Sequence, residues 1–203
     1  LTPIRILKQA IDQTGIDIPL VRLSDISETT TAFASALPVL DVEDTNASVI
    51  PGTASPATAN IVIDSITRAV ELTRSGAASA VVTNPIQKSA LYTAGFKHPG
   101  HTEFLAELAG PGTVPVMMLA NAKLRVVPLT IHIALAEVPK QLTAALIGTL
   151  CHITAKALQR DFGIMHPRLA IAGLNPHAGE DGTMGIEEQT IMIPAIKKLR
   201  DEG

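Results

Sequence analysis

The chain has 203 residues, 46% of them apolar and 17% charged, with a mean hydropathy of +0.30 and a formal charge of −3. That balance excludes a disordered chain, which carries fewer apolar residues and more net charge. It also argues against a nucleic-acid binder, because 16 basic residues against 19 acidic ones leave no footprint for phosphate backbones.

No apolar run approaches the about 18–20 residues of a spanning helix, and no basic stretch followed by an apolar one reads as a secretory signal. The lone Cys151 cannot form an internal disulfide, which fits a reducing compartment, and the expected location is cytoplasmic. With four Phe, one Tyr and no Trp, the core must be aliphatic. The chain opens on Leu1 and stops on Asp201-Glu202-Gly203 directly after a helical pattern, so it is expected to be part of a longer protein.

In chain order, Ile4, Leu7 and Ile11 stand at helical spacing and Gly15 is placed to stop the helix. Pro19–Leu23 reads as a strand. Residues 24–60 read as ordered loop with one or two short strands, the best candidate being Leu37–Leu40. From Ala57, the residues Ile61, Ile66, Ala69, Val70 and Thr73 mark one helix face, with Gly76 at its C-terminal cap. Ala80–Thr83 then reads as a short buried strand ending in the Asn84-Pro85 turn. Ser89–Ala94 is a short helix closed by Gly95, and Gly100-His101-Thr102-Glu103 opens another, with Thr102 as N-cap.

Val114–Leu119 and Leu124–Thr130 read as strands of an antiparallel hairpin. One long helix is expected from about Pro139 to Phe162, followed by Gly163. Arg168–Leu174 reads as a strand, and Ile186–Arg200 as a helix that Pro194 kinks. The order of elements gives an α/β fold, a mixed sheet sandwiched by helices.

Six histidines are candidates for chemistry. His152, inside the long helix, and His166, in a turn, have nothing nearby that requires an ionisable ring. His132 stands at a strand end, where open α/β sheets place ligands. His177 follows another strand, in a loop with Gly179, Gly182 and Gly185. That loop has two readings: a mobile surface turn, or a backbone shaped to approach a ligand while His177 and Glu180 face a cleft.

Glu187 and Glu188 match the positive end of the helix that follows. Two imidazoles from two strand ends would suit a divalent metal, but their wide separation is no local metal motif and a third ligand is needed. Thr83-Asn84-Pro85 with Lys88 forms a second polar cluster with His101 and Thr102, placed to bind an anion at a helix start; a Lys on a short helix is more often a solvated side chain. The chain has no G-x-G-x-x-G after a strand, no Walker A and no G-x-S-x-G.

At these motifs the sequence resembles the 4-hydroxythreonine-4-phosphate dehydrogenases of pyridoxine and pyridoxal phosphate biosynthesis. The resemblance lies in Val82–Lys88, Gly95-Phe96, Gly100–Leu105, Leu129–Leu135 and Leu174–Gly185, in order from about Gly52 onward. It implies a fold like the isocitrate and isopropylmalate dehydrogenases, with residues 1–203 the central part of a two-lobed α/β enzyme. It implies a homodimer with a shared active site, His132 and His177 as metal ligands, and His101 and Thr102 as ligands of the phosphorylated substrate.

The cofactors implied are a divalent metal (zinc, magnesium or cobalt) and NAD, with NADP possible. The implied reaction oxidises and decarboxylates 4-phosphooxy-L-threonine to 3-amino-2-oxopropyl phosphate. The family's third metal ligand, a His in an Asp-His-Gly segment contributed across the dimer, has no counterpart in these 203 residues. No general base is identifiable. The alternatives are a sister dehydrogenase acting on threonate or erythronate 4-phosphate, and a fragment that catalyses nothing.

Overall fold

The computed structural model describes residues 1–42 and 47–203, so residues 43–46 of the expected loop lie outside the description. The chain forms two compact units, Leu1–Pro115 and Val116–Gly203.

In the first unit, α1 (Ile4–Thr14) ends where Gly15 turns left-handed and donates its N–H to the Ile11 carbonyl at 2.9 Å, as the sequence predicts. Asp41 anchors both ends of this segment, accepting from the Ile4 N–H at 2.7 Å and pairing with Arg22 at 2.7 Å. Strand β1 (Leu20–Arg22) runs parallel to β2 (Leu37–Val39), with Leu20 opposite Leu37. The crossover between them carries a short helix, α2 (Thr29–Ala32).

Helix α3 (Ala59–Arg74) buries the face read from the sequence, including Ile61, Ile66 and Val70. It packs with α4 (Lys88–Thr93) and α5 (His101–Ala109) around Ala59, Ile66, Leu91, Phe96 and Phe104. His98 is absorbed into this core: its ring lies 5.0 Å from Phe96 and 5.1 Å from Phe104, and its Nε2 is 3.5 Å from Glu107.

In the second unit, β3 (Leu119–Ala120) and β4 (Arg125–Val126) form the expected antiparallel hairpin. Asn121 closes its turn by accepting from the Lys123 and Leu124 N–H groups. The long helix is broken. A short α6 (Val138–Gln141) is separated from α7 (Ala144–Phe162) by extended backbone at Leu142 and Thr143. The Thr143 hydroxyl accepts from the Leu146 N–H at 3.1 Å, an N-cap that competes with helix continuation.

At the end of the chain, a π-helical turn (Glu188–Met192) leads into α8 (Ile193–Asp201). The helix expected from Ile186 to Arg200 is one helical run from Glu187, and its π-helical distortion lies directly before Pro194, which has no N–H to donate backward. Leu142, Ile147, Met192 and Ala195 form the core here, with Cys151 against it. Burial pushes the Cys151 thiol up from its ordinary pKa, which makes it a poor nucleophile near neutrality.

The expected mixed sheet appears, among the described residues, as two separate two-stranded ladders. Residues 80–83, 114–118 and 168–174 are without ladder pairing, and Val82 is 97% exposed where a buried strand is expected. Aliphatic content reports a wish for burial; pairing needs a partner strand as well. No helix among the described residues is long and apolar enough to cross a membrane.

Ile147 is fully buried, so Ile147→Ala is expected to lower the unfolding free energy by about 2–5 kcal/mol. Thr143→Ala, which removes only the cap, is expected to cost about 1 kcal/mol. Urea titration of both variants measures the difference.

Candidate active site

The first unit contains the start of α5. Gly100 is its N-cap in extended backbone, and no side chain caps the helix, so its leading N–H groups keep no side-chain acceptor. Thr102 lies inside the first turn, two positions beyond the N-cap role expected for it. A Cβ on Gly100 would sit 3.5 Å from Lys88 Nζ and 3.6 Å from Glu103 Oε2, so an ammonium and a carboxylate close over the helix start. The His101 Nε2 is buried and has no hydrogen-bond partner among the described residues. An unpaired buried donor or acceptor costs about 1–3 kcal/mol, so this ring nitrogen is poised for a partner that the helix start itself does not supply. Donors, a cation and a positive helix end together favour an anion.

The second unit contains His132 and His177. His132 has φ 58°, a left-handed backbone uncommon for a residue with a Cβ, and its side chain is exposed. The loop after Leu174 is more unusual. Ala178, Gly179, Glu180, Asp181 and Gly182 all have positive φ, five in succession, and three of them are not glycine. A left-handed backbone costs an L-residue about 1–2 kcal/mol, so the loop holds strain that its hydrogen bonds must offset.

Those bonds are present. Asn175 Oδ1 accepts from the His177 N–H at 2.8 Å, Asn175 Nδ2 donates to the Met184 carbonyl, and the Met184 N–H returns to the Gly179 carbonyl at 3.0 Å. The product is a rigid presentation of His177, whose Nδ1 lies 2.6 Å from Glu180 Oε1. With Glu180 ionised, the proton belongs on Nδ1, and the lone pair is left on Nε2. A histidine that gives one ring N–H to a carboxylate and keeps the other nitrogen free is the usual form of a metal-ligating imidazole. The donor chemistry of His177 thus fits a divalent metal, although no group of three or more His, Cys, Asp or Glu side chains gathers around a metal-sized space among the described residues.

Glu188 does more than is expected of it. It is buried, 6% exposed, and accepts from the Leu174 N–H at 2.9 Å through Oε1, so beyond standing at the helix start it also holds the preceding loop. The adjacent Glu-Glu pair gives no sign of which member turns inward. Shallow, mainly apolar grooves lie elsewhere, one of about 350 Å³ beside Val116, Ile153 and Phe162, and none of His101, His132 or His177 lines them.

The sequence profile of the pyridoxal phosphate biosynthetic protein PdxA matches residues 2–203, across both units and every residue described above. The chain belongs to the PdxA family. Among its relatives are the 4-hydroxythreonine-4-phosphate dehydrogenases of Erythrobacter litoralis, 48% identical over 98% of this chain and 59% of the relative, and of Bradyrhizobium diazoefficiens, 51% identical over 90% of this chain and 54% of the relative.

The crystal structure of a 4-hydroxythreonine-4-phosphate dehydrogenase from Burkholderia phymatum superposes with a TM-score of 0.82 at 33% identity, covering 97% of this chain and 59% of that one. A terephthalate 1,2-cis-dihydrodiol dehydrogenase from Burkholderia xenovorans shares the fold at a TM-score of 0.64 and 26% identity, covering 100% of this chain and 61% of that one. The chain thus spans between a half and two thirds of the length of these proteins, and its α/β architecture is that of dehydrogenases.

The Glu180 contact fixes a tautomer, which long-range proton–nitrogen NMR reads directly. The His177 ring is expected to carry its proton on Nδ1, and Glu180→Ala is expected to shift it toward the Nε2–H form. An unchanged pattern in the variant contradicts the orienting role.

Proposed function

We propose that the protein to which this chain belongs oxidises and decarboxylates 4-phosphooxy-L-threonine to 3-amino-2-oxopropyl phosphate, with NAD as oxidant and a divalent metal (zinc, magnesium or cobalt) in the site. The observation that carries the reading is the strained left-handed turn that presents His177 with its Nδ1 tied to Glu180. Its support is the family match over residues 2–203 and the names of the relatives.

In this reading the two units have separate tasks. Around the start of α5, His101, Thr102 and Lys88 bind the substrate phosphate; the unpartnered His101 nitrogen and the free N–H groups of the helix supply donors, and Lys88 supplies charge. His132 and His177 hold the metal through neutral imidazoles, and Glu180 keeps the His177 lone pair on Nε2. When bound, the metal supplies Lewis acidity toward the substrate hydroxyl, and NAD supplies the acceptor for a hydride.

Two imidazoles do not complete a metal site. The third ligand is assigned to a His in an Asp-His-Gly segment of a second copy, making the working unit a homodimer with a shared site. Leu135, three positions after His132, is 86% exposed, which suits a site completed by another surface.

The test uses the protein expressed from its whole reading frame, assayed for NAD reduction with 4-phosphooxy-L-threonine, threonate 4-phosphate and erythronate 4-phosphate. Turnover of the amino acid is expected, and turnover of the hydroxy acids alone overturns the assignment. Loss of a charge-assisted bond to phosphate is worth about 1.5–3 kcal/mol, so Lys88→Ala and His101→Ala are each expected to raise KM by about 10–100-fold with a smaller change in kcat. His177→Ala is expected to lower kcat instead. Equal KM values for the wild type and both anion-site variants remove the helix start from substrate binding.

A further inference from the structure

Glu188 is a buried carboxylate for which the reading above has no use. Its Oε1 is taken by the Leu174 N–H, at the root of the loop, while its Oε2 is buried with no hydrogen-bond partner among the described residues. A Cβ placed on Gly179 would come within 3.1 Å of that Oε2 and 2.8 Å of the Gly185 carbonyl oxygen. Gly179 is itself buried and is the second of the five left-handed residues. The carboxylate therefore touches the turn at two places, its root at Leu174 and its middle at Gly179.

Glu188 also opens the π-helical turn Glu188–Met192. A π turn inserts an extra residue into a helix and re-aims side chains, and such turns are frequent at functional sites. A buried carboxylate with one oxygen unpartnered is unfavourable on its own, so something in its surroundings must compensate for it.

We propose that Glu188 is a positioning residue for His177: it clamps the left-handed turn from inside and thereby fixes the His177–Glu180 pair in its metal-binding geometry. The inference rests on the assignment of His177 as a metal ligand. Glu188 touches neither metal nor substrate. It acts through backbone, by holding Leu174 and leaving room only for a hydrogen at Gly179.

Three variants of the protein expressed from its whole reading frame test this, with zinc chloride titrated calorimetrically into metal-free protein and the His177 ring followed by proton–nitrogen NMR. Removing a group that orients a metal ligand weakens metal binding by about 10–100-fold. Glu188→Ala is expected to lose that much zinc affinity and the Nδ1–H signature of His177. Glu188→Gln keeps an oxygen for the Leu174 N–H and is expected to stay within about threefold of wild type. Gly179→Ala leaves the carboxylate intact but forces a Cβ against both it and the Gly185 carbonyl at a left-handed position, so it disturbs the same turn by a second route and is expected to weaken zinc binding as Glu188→Ala does, which keeps the test alive if Glu188→Ala fails to fold.

A merely structural role predicts lowered melting temperatures with unchanged zinc affinity and an unchanged His177 spectrum; that result overturns the proposal, as does a Gln variant as weak as the Ala variant. His177→Ala separates the two levels. If it leaves zinc affinity unchanged, the metal assignment fails, and the ring spectrum of Glu188→Ala still decides whether Glu188 positions His177.

Discussion

The geometry of the second unit turns on one constraint: a run of left-handed backbone from Ala178 to Gly182 that three L-residues adopt against their preference. Local hydrogen bonds from Asn175, Glu180 and Met184 hold it from the outside. Within that turn the His177 imidazole and the Glu180 carboxylate, three residues apart, meet at 2.6 Å. Strain stored in a loop whose bonds over-determine it is a recurring property of functional sites, because it fixes a side chain before any ligand arrives.

The two units show different ways of preparing for charge. At the start of α5 the preparation is electrostatic: among the described residues, leading N–H groups without a side-chain cap, a nearby ammonium and an orphaned ring nitrogen. In the loop after Leu174 it is conformational, with one imidazole held against a carboxylate. An anion site tolerates some looseness because charge acts over distance, whereas a coordinate bond needs a lone pair aimed within narrow limits.

Much of this was legible in the sequence, for identifiable reasons. Helices α1, α3 and α7 announce themselves by apolar spacing and by Gly15, Gly76 and Gly163, because helix periodicity and left-handed caps are local properties. The hairpin at Asn121 is local too. Strand pairing is not: Ala80–Thr83 has the composition of a buried strand yet lies unpaired and largely exposed, since composition does not say where a partner is. The break at Thr143 was missed because a Thr in a helical pattern and a Thr that caps one look alike until the backbone is seen. The motif around His177 was readable as a glycine-rich loop, but its handedness was not, since Ala178, Glu180 and Asp181 carry no sign of left-handed backbone. The inward turn of Glu188 was hidden for the same reason, as a charged residue at a helix start ordinarily faces water.

The unpaired extended segments carry a cost in handling. Val82 is exposed within a stretch that is aliphatic, uncharged and free of ladder bonds, so its N–H and C=O groups form a template for a strand of another molecule. The prolines at 85 and 115 keep such templates short, since each removes an N–H that a further strand would need.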